Sequence, residues 1–149
     1  MVGKVAMLAP CSVLLVPRAS RMWSQRVLAA VDTSPAAEGV AAIAARIAVR
    51  CKLPLLIASV ATVADSRSAA ETAVATAIDV ARQLGAKAEG RALVGRPPER
   101  IADLASDTGA DLLVVGRHGN SAVLQRMLLG GTAQKIAGLA QCPSLVVKP

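Results

Sequence analysis

Four of the chain's 11 glycines lie in or just after one short segment, where missing side chains could expose backbone N–H groups to an anion. Gly116 and Gly119 belong to VGRHGN, directly after the apolar run DLLVV, and Gly130 and Gly131 follow. Such glycines can serve a plain turn between a strand and a helix, or they can let the backbone approach a phosphate closely. Both interpretations remain open at this point.

The residues after Gly131 favour the phosphate interpretation. Thr132 and Ala133 open a predicted helix, and a helix N-terminus has unpaired N–H groups and the positive end of a dipole. The hydroxyl of Thr132 could donate to a phosphate oxygen, and Arg117 could supply positive charge. The alternative is a helix terminus that holds no ligand.

Asp32 follows the apolar run VLAAV and is the second candidate for ligand binding. Its carboxylate would repel phosphate, so its expected place is near a base or ribose, accepting from an amino group or a hydroxyl. The alternative is a role at the start of the next helix. There Ser34 is a predicted N-cap and Pro35 suits the first helical position.

No catalytic constellation is visible, so the sequence does not predict an enzyme. His118 is the single histidine, and no nucleophile or carboxylate partner is evident for it. The cysteines, Cys11, Cys51 and Cys142, lack metal-binding spacing, and their odd number suits a reducing cytoplasm.

Composition narrows the classes of partner. The 149 residues fit one domain, and no apolar run reaches the roughly 18 residues needed to span a membrane. With one Trp and no Phe or Tyr, the chain lacks stacking platforms, so nucleic acid is not an expected partner. The net charge of +7 suits an anionic ligand and equally a solvated surface.

Apolar runs of strand length alternate with helical patterns, which predicts βαβ units and a parallel sheet with helices on both faces. The runs at 27–31 and 111–115 are the most apolar and should form the central pair. Ligands bind such sheets beyond the carboxyl ends of the strands, where Asp32 and Gly116 lie. The other predicted strands are 55–60, 87–94, the latter at an edge, and 144–148.

The two ends of the chain contain a repeat. KVAMLAPCSVLLVP at 4–17 aligns without a gap with KIAGLAQCPSLVVK at 135–148. This predicts that residues 1–17 are the last helix and strand of a preceding copy of the module, that 18–25 are a linker and that 26–149 form the domain. Residues 12–16 then form an extra strand, which we expect to pair with 144–148 within the chain or across a dimer.

Residues 26–149 resemble the universal stress protein family in VLAAVDTSP, in GRHG followed by LLGGTA, and in CPSLVV. The resemblance implies an α/β fold of the adenine nucleotide alpha-hydrolase type, with a doubly wound, five-stranded parallel sheet between about four helices. The N-terminal strand would be additional. It also implies a stress-response or regulatory role, ATP or AMP as ligand, and homodimers or tandem pseudo-dimers joined through the last strand.

Nucleotide-binding members share Gly-x2-Gly-x9-Gly followed by Ser or Thr, whereas here ten residues, 120–129, separate Gly119 from Gly130. A bulge could absorb the extra residue, or binding could be lost. In the second case the chain would be an interaction module that acts by dimerisation and partner binding. Mg²⁺ is expected only with ATP. The predicted nucleotide-binding residues, with Val60 added by the resemblance as a wall of the base pocket, are Asp32, Val60, Gly116, Arg117, Gly119, Gly130, Gly131, Thr132 and Ala133.

Overall fold

The computed structural model describes residues 5, 8–117, 135, 136 and 138–148 of the 149-residue chain. Five of the predicted nucleotide-binding residues lie outside the described residues, and so does the histidine. The five are Gly119, Gly130, Gly131, Thr132 and Ala133, and the histidine is His118.

From residue 27 onward strands and helices alternate along the described chain, as the apolar pattern predicts. Residues 135, 136, 138 and 139 are helical as well, and residues 64–66 form a short 3₁₀ turn. The predicted strands are confirmed, with bounds that shift by one or two residues. The elements are β1 (Val13–Leu15), β2 (Val27–Ala30), α1 (Ala37–Cys51), β3 (Leu55–Ala61), α2 (Arg67–Gln83), β4 (Ala88–Val94), α3 (Pro97–Thr108), β5 (Leu112–Gly116) and β6 (Ser144–Val147).

One six-stranded sheet has the order β1-β6-β5-β2-β3-β4, and all neighbouring strands are parallel except β1, which runs antiparallel to β6. β2 and β5 are adjacent at the centre, with Ala30 beside Val115. Both strands are almost completely buried, which confirms the predicted central pair. From β2 the chain proceeds outward to β3 and β4, and it then returns through β5 to β6. The strand order therefore reverses between β2 and β5, where α/β sheets open a crevice.

Helices cover both faces of the sheet. On one face, small residues of α1 and α2 let the helices pack closely against alternate strand residues, including Val27, Leu55 and Val114. On the other face, α3 and Ile136 cover the residues of opposite parity, including Leu28. The two apolar layers explain why the central strands are apolar at every position.

The prediction that Ser34 caps α1 is wrong. The helix begins at Ala37, and the preceding Ala36 makes no side-chain capping bond. The N–H of Ser34 donates instead to Oδ1 of Asp32 at 2.9 Å. This local carboxylate–amide bond holds a turn and delays the helix by two residues.

β1 pairs with β6 within the chain, which confirms the first of the two predicted arrangements. Val13 lies opposite Val146, Leu14 opposite Leu145 and Leu15 opposite Ser144. The division into a remnant at 1–17, a linker at 18–25 and a domain at 26–149 stays a prediction.

The segment between β1 and β2 is tied to the start of β5 by Asp111. Its carboxylate accepts backbone N–H bonds from Ser24 (2.7 Å), Gln25 (3.1 and 3.2 Å) and Arg26 (3.0 Å). Trp23, the single aromatic residue, packs against the core on the α1 and α2 face. The segment is therefore fixed at the amino ends of the strands, opposite the crevice.

Candidate functional site

The candidate site lies at the carboxyl ends of three neighbouring strands, β5, β2 and β3. Val31 continues β2, and its N–H donates to the carbonyl of Ala58 at 2.9 Å, so Asp32 emerges beside β3. Gly116 is the last residue of β5, and Val60 is the next-to-last residue of β3. The structure thus brings three of the predicted residues to one mouth, on strands that lie far apart in the chain.

Asp32 is half-buried at this mouth. Its Oδ1 accepts the N–H of Ser34, which fixes the orientation of the carboxylate. Oδ2 remains able to accept from a ligand hydroxyl or amino group. The two interpretations of Asp32 are therefore compatible, because one oxygen shapes the turn and the other can bind.

Val60 gives the mouth an apolar wall. Its half-buried side chain packs against the core on the α3 face, together with Ala30 and Leu93. Ser59, the preceding residue, is buried on the opposite face. An apolar side chain at this place suits contact with an aromatic base.

Arg117 points away from Asp32. Its backbone N–H donates to the carbonyl of Val147 at 3.0 Å, and Nη2 donates to the carbonyl of Cys11 at 2.8 Å. The guanidinium therefore reaches across β6 to the N-terminal segment. A charge role at a phosphate would require Arg117 to release Cys11.

The buried state of Arg117 is unusual for an arginine. The residue is only 8% exposed, and its Nε has no hydrogen-bond partner among the described residues. No carboxylate pairs with it in the described part of the chain. An unpaired charge is costly to bury. Among the described residues the carbonyl of Cys11 is the hydrogen-bond acceptor of the guanidinium, and an anion would neutralise its charge.

Sequence reasoning missed the contacts that hold the N-terminal segment across β6. Lys148 donates through Nζ to the carbonyl of Pro10 at 3.2 Å and through its backbone N–H to Oγ of Ser12 at 2.9 Å. The repeat gave a signal for the strand pairing. No pattern could have shown that Arg117 and Lys148 reach carbonyls more than 100 residues away.

The remaining polar groups point to no further chemistry. Burial raises the pKa of the Cys142 thiol above its ordinary value, and the charge of Asp111 raises it further, while backbone hydrogen bonds lower it. A thiol kept protonated is a poor nucleophile. Across the described ranges, no cluster of three or more His, Cys, Asp or Glu side chains could hold a metal ion. No helix in those ranges has both the length and the apolarity to cross a membrane.

Known proteins resemble the chain in sequence and in fold. A universal stress protein of Methanocaldococcus jannaschii is 39% identical over 69 residues, which are 46% of this chain and 40% of that relative. The chain thus spans less than half the length of this curated relative.

Two solved structures share the fold. A universal stress protein in complex with cAMP is 30% identical with a TM-score of 0.70, over 83% of this chain and 96% of that one. A universal stress protein of Pseudomonas aeruginosa UCBPP-PA14, described as putative, is 26% identical with a TM-score of 0.70, over 98% of this chain and 55% of that longer chain. The Universal stress protein family model matches residues 24–148, and the chain belongs to that family.

Proposed function

We propose that this chain is an adenine-nucleotide-binding module with a stress-response or regulatory role. The observation that carries the proposal is the juxtaposition of Asp32, Val60 and Gly116 at the point where the strand order reverses. Asp32 would accept from the ribose or the base, and Val60 would contact the base. The backbone after Gly116 would approach the phosphates.

A bound relative supports the ligand class. The family member that is 30% identical was solved in complex with cAMP, an adenine nucleotide. For this chain the proposed ligand is ATP or AMP, with Mg²⁺ only when ATP is bound, since a triphosphate needs the counter-charge. We further propose that the module works in the cytoplasm and catalyses no reaction of its own.

Isothermal titration calorimetry with AMP and ATP tests the proposal, on protein freed of carried-over nucleotide by unfolding and refolding. We expect saturable heat at micromolar to millimolar nucleotide. An absence of heat at several millimolar of either nucleotide would overturn the proposal.

Two glycine substitutions make the test specific. Gly119→Val should abolish binding, because a side chain there would obstruct the approach of the backbone to phosphate. Gly138→Val is the matched control, because a Cβ at this exposed helical position meets nothing within 4 Å. If Gly119→Val binds as the unchanged protein does, the glycine segment does not hold the ligand.

A second candidate function is the pairing of modules through the outer edge of β6, in a homodimer or with a neighbouring module. The specific observation in its favour is the antiparallel pairing of β1 with β6, because it shows that this edge accepts a further strand. The match that covers 98% of this chain and 55% of a longer one also fits a tandem arrangement. Light scattering coupled to gel filtration gives the mass in solution, and a monomer at every concentration would favour the tandem alternative.

A further inference from the structure

β1 and β6 are equivalent segments of the repeat, and their local structures agree. The N–H of Ala9 donates to the carbonyl of Val5 at 2.9 Å, and the N–H of Ala140 donates to the carbonyl of Ile136 at 2.8 Å. These residues occupy the same repeat positions, 131 residues apart. In both copies helical residues lead into a Cys and then a strand.

The pairing between the two copies is symmetric. Leu14 and Leu145 hold the same repeat position and lie directly opposite each other. Val13, the equivalent of Ser144, lies opposite Val146, and Leu15, the equivalent of Val146, lies opposite Ser144. A local two-fold axis therefore passes through the leucine pair, as in the contact between two identical subunits.

We propose that β1 is an internal substitute for the last strand of a second copy of this chain, and that the two compete for the outer edge of β6. In the exchanged form, β6 would pair with β6 of the second copy, with Leu145 facing Leu145 across the axis. This inference rests on the pairing function proposed above and is independent of nucleotide binding. A negative calorimetry result would therefore overturn only nucleotide binding, and a negative cross-linking result would overturn only the strand exchange.

Contacts beyond the strand hold the closed form. The carbonyl of Cys11 accepts from Arg117, and Lys148 binds Pro10 and Ser12. Because β1 is tethered to the same chain, its effective concentration at β6 is on the order of millimolar. A second copy at micromolar concentration should therefore pair with β6 to a large extent only when the pairing of β1 with β6 is weakened.

The hydrogen-bond pattern shows how to weaken β1 selectively. The carbonyls of Pro143 and Val147 accept from β5, so alternation turns the N–H and C=O groups of Ser144 and Val146 toward β1. The residues opposite them, Val13 and Leu15, are hydrogen-bonded to β6, whereas the leucine pair at 14 and 145 is not. Proline at 13 or 15 removes a bond to β6, but proline at 14 removes an N–H that faces outward.

Cysteine cross-linking detects the exchange in the full chain, after Cys11 and Cys51 are replaced by Ser and Cys142 by Ala. Leu145→Cys would face its counterpart across the axis at about 4.5 Å between Cα atoms, a distance that suits a disulfide. In the closed form it faces only Leu14. Under mild oxidation we expect mostly monomer at micromolar protein, and a cross-linked fraction that grows with protein concentration.

Adding Leu15→Pro, or Val13→Pro as a second choice, should raise the cross-linked fraction about fivefold or more, since one lost hydrogen bond costs about 1 kcal/mol. Leu14→Pro is the matched control and should raise it less. Equal cross-linked fractions in the Leu15→Pro variant and in the Leu14→Pro control would overturn the proposal. So would an absence of cross-linked dimer for Leu145→Cys at millimolar protein, a measurement that needs no proline.

Two further variants fix the register. Lys148→Cys is exposed but would lie about 20 Å from its counterpart in the exchanged form, so it should not cross-link. Leu14→Cys with Leu145→Cys should close a bridge within one chain and suppress the dimer. Efficient cross-linking of Lys148→Cys would contradict the two-fold register.

Discussion

Gly90 shows how a single missing side chain sets the distance between a helix and the sheet. It lies in β4, and a Cβ placed there would come within 2.6 Å of Cδ1 of Ile78 and would overlap Cγ1 of Val74. Val is stiff about χ1, so it cannot move aside without a shift of α2. The glycine is required by packing, although it belongs to a solvent-exposed stretch of the strand.

We expect Gly90→Ala to lower the free energy of unfolding by about 1–2 kcal/mol, because overpacking outweighs the gain in strand propensity. Urea unfolding followed by circular dichroism measures the change. Gly138→Ala is the control, because nothing lies within 4 Å of its Cβ and alanine favours the helix, so stability should rise by up to about 1 kcal/mol. An unchanged midpoint for Gly90→Ala would contradict the close packing.

Cys142 should be the least reactive of the three thiols. Its pKa is raised by burial and by Asp111, so at pH 8 it has fewer thiolates than a thiol with the ordinary pKa, and its reaction should accelerate only at higher pH. Alkylation with iodoacetamide, read by peptide mass spectrometry, should modify the exposed Cys11 and Cys51 first. In urea the three rates should converge. Equal rates in the folded protein would contradict the burial of Cys142.

The segment that joins β1 to β2 shows how one carboxylate can fix an irregular element. Three successive backbone N–H groups, from residues 24–26, donate to the carboxylate of Asp111, which lies far from them in the sequence. Hydrogen bonds to a charged acceptor are stronger than those between neutral groups. This carboxylate, together with the packing of Trp23, holds the segment without any regular secondary structure.

Asp111→Asn should therefore destabilise the chain by about 1–2 kcal/mol, because the charge and one acceptor oxygen are lost. Fluorescence of Trp23, the single tryptophan, reports the segment directly during urea unfolding. Asp103→Asn is the control, because this residue is exposed on α3 and has no comparable role. Identical unfolding curves for the two variants would show that the carboxylate does not anchor the segment.

At the level of the whole molecule, the two outer edges of the sheet differ in character. β4 presents Glu89 and Arg91 to solvent, and exposed charges oppose the pairing of edges. At the opposite edge Leu14 of β1 is 42% exposed, and Val16, which follows the strand, is 59% exposed. The apolar edge is therefore less protected against pairing than the charged one, and Arg117, which directly follows β5, reaches it through the carbonyl of Cys11. One side chain thus links the strand that ends at the proposed nucleotide site to the edge proposed for pairing.

The sequence by itself determined the order of the elements and the central strand pair. Apolar runs such as 27–31 and 111–115 can be buried only between two helical layers, so periodicity and length suffice. It also placed Asp32 and Gly116 at one mouth, because the carboxyl ends of parallel strands meet at one edge. The repeat predicted that 12–16 would lie beside 144–148.

Only the tertiary structure decided where individual side chains found partners. The turn at Ser34 replaced a predicted cap, because Oδ1 of Asp32 accepts the N–H of Ser34 in a turn and the helix begins only at Ala37. The reach of Arg117 to Cys11 and the capture of residues 24–26 by Asp111 join groups about 85 to 106 residues apart. Local patterns record burial and propensity, whereas such long-range polar contacts depend on which groups the completed fold brings within 3 Å.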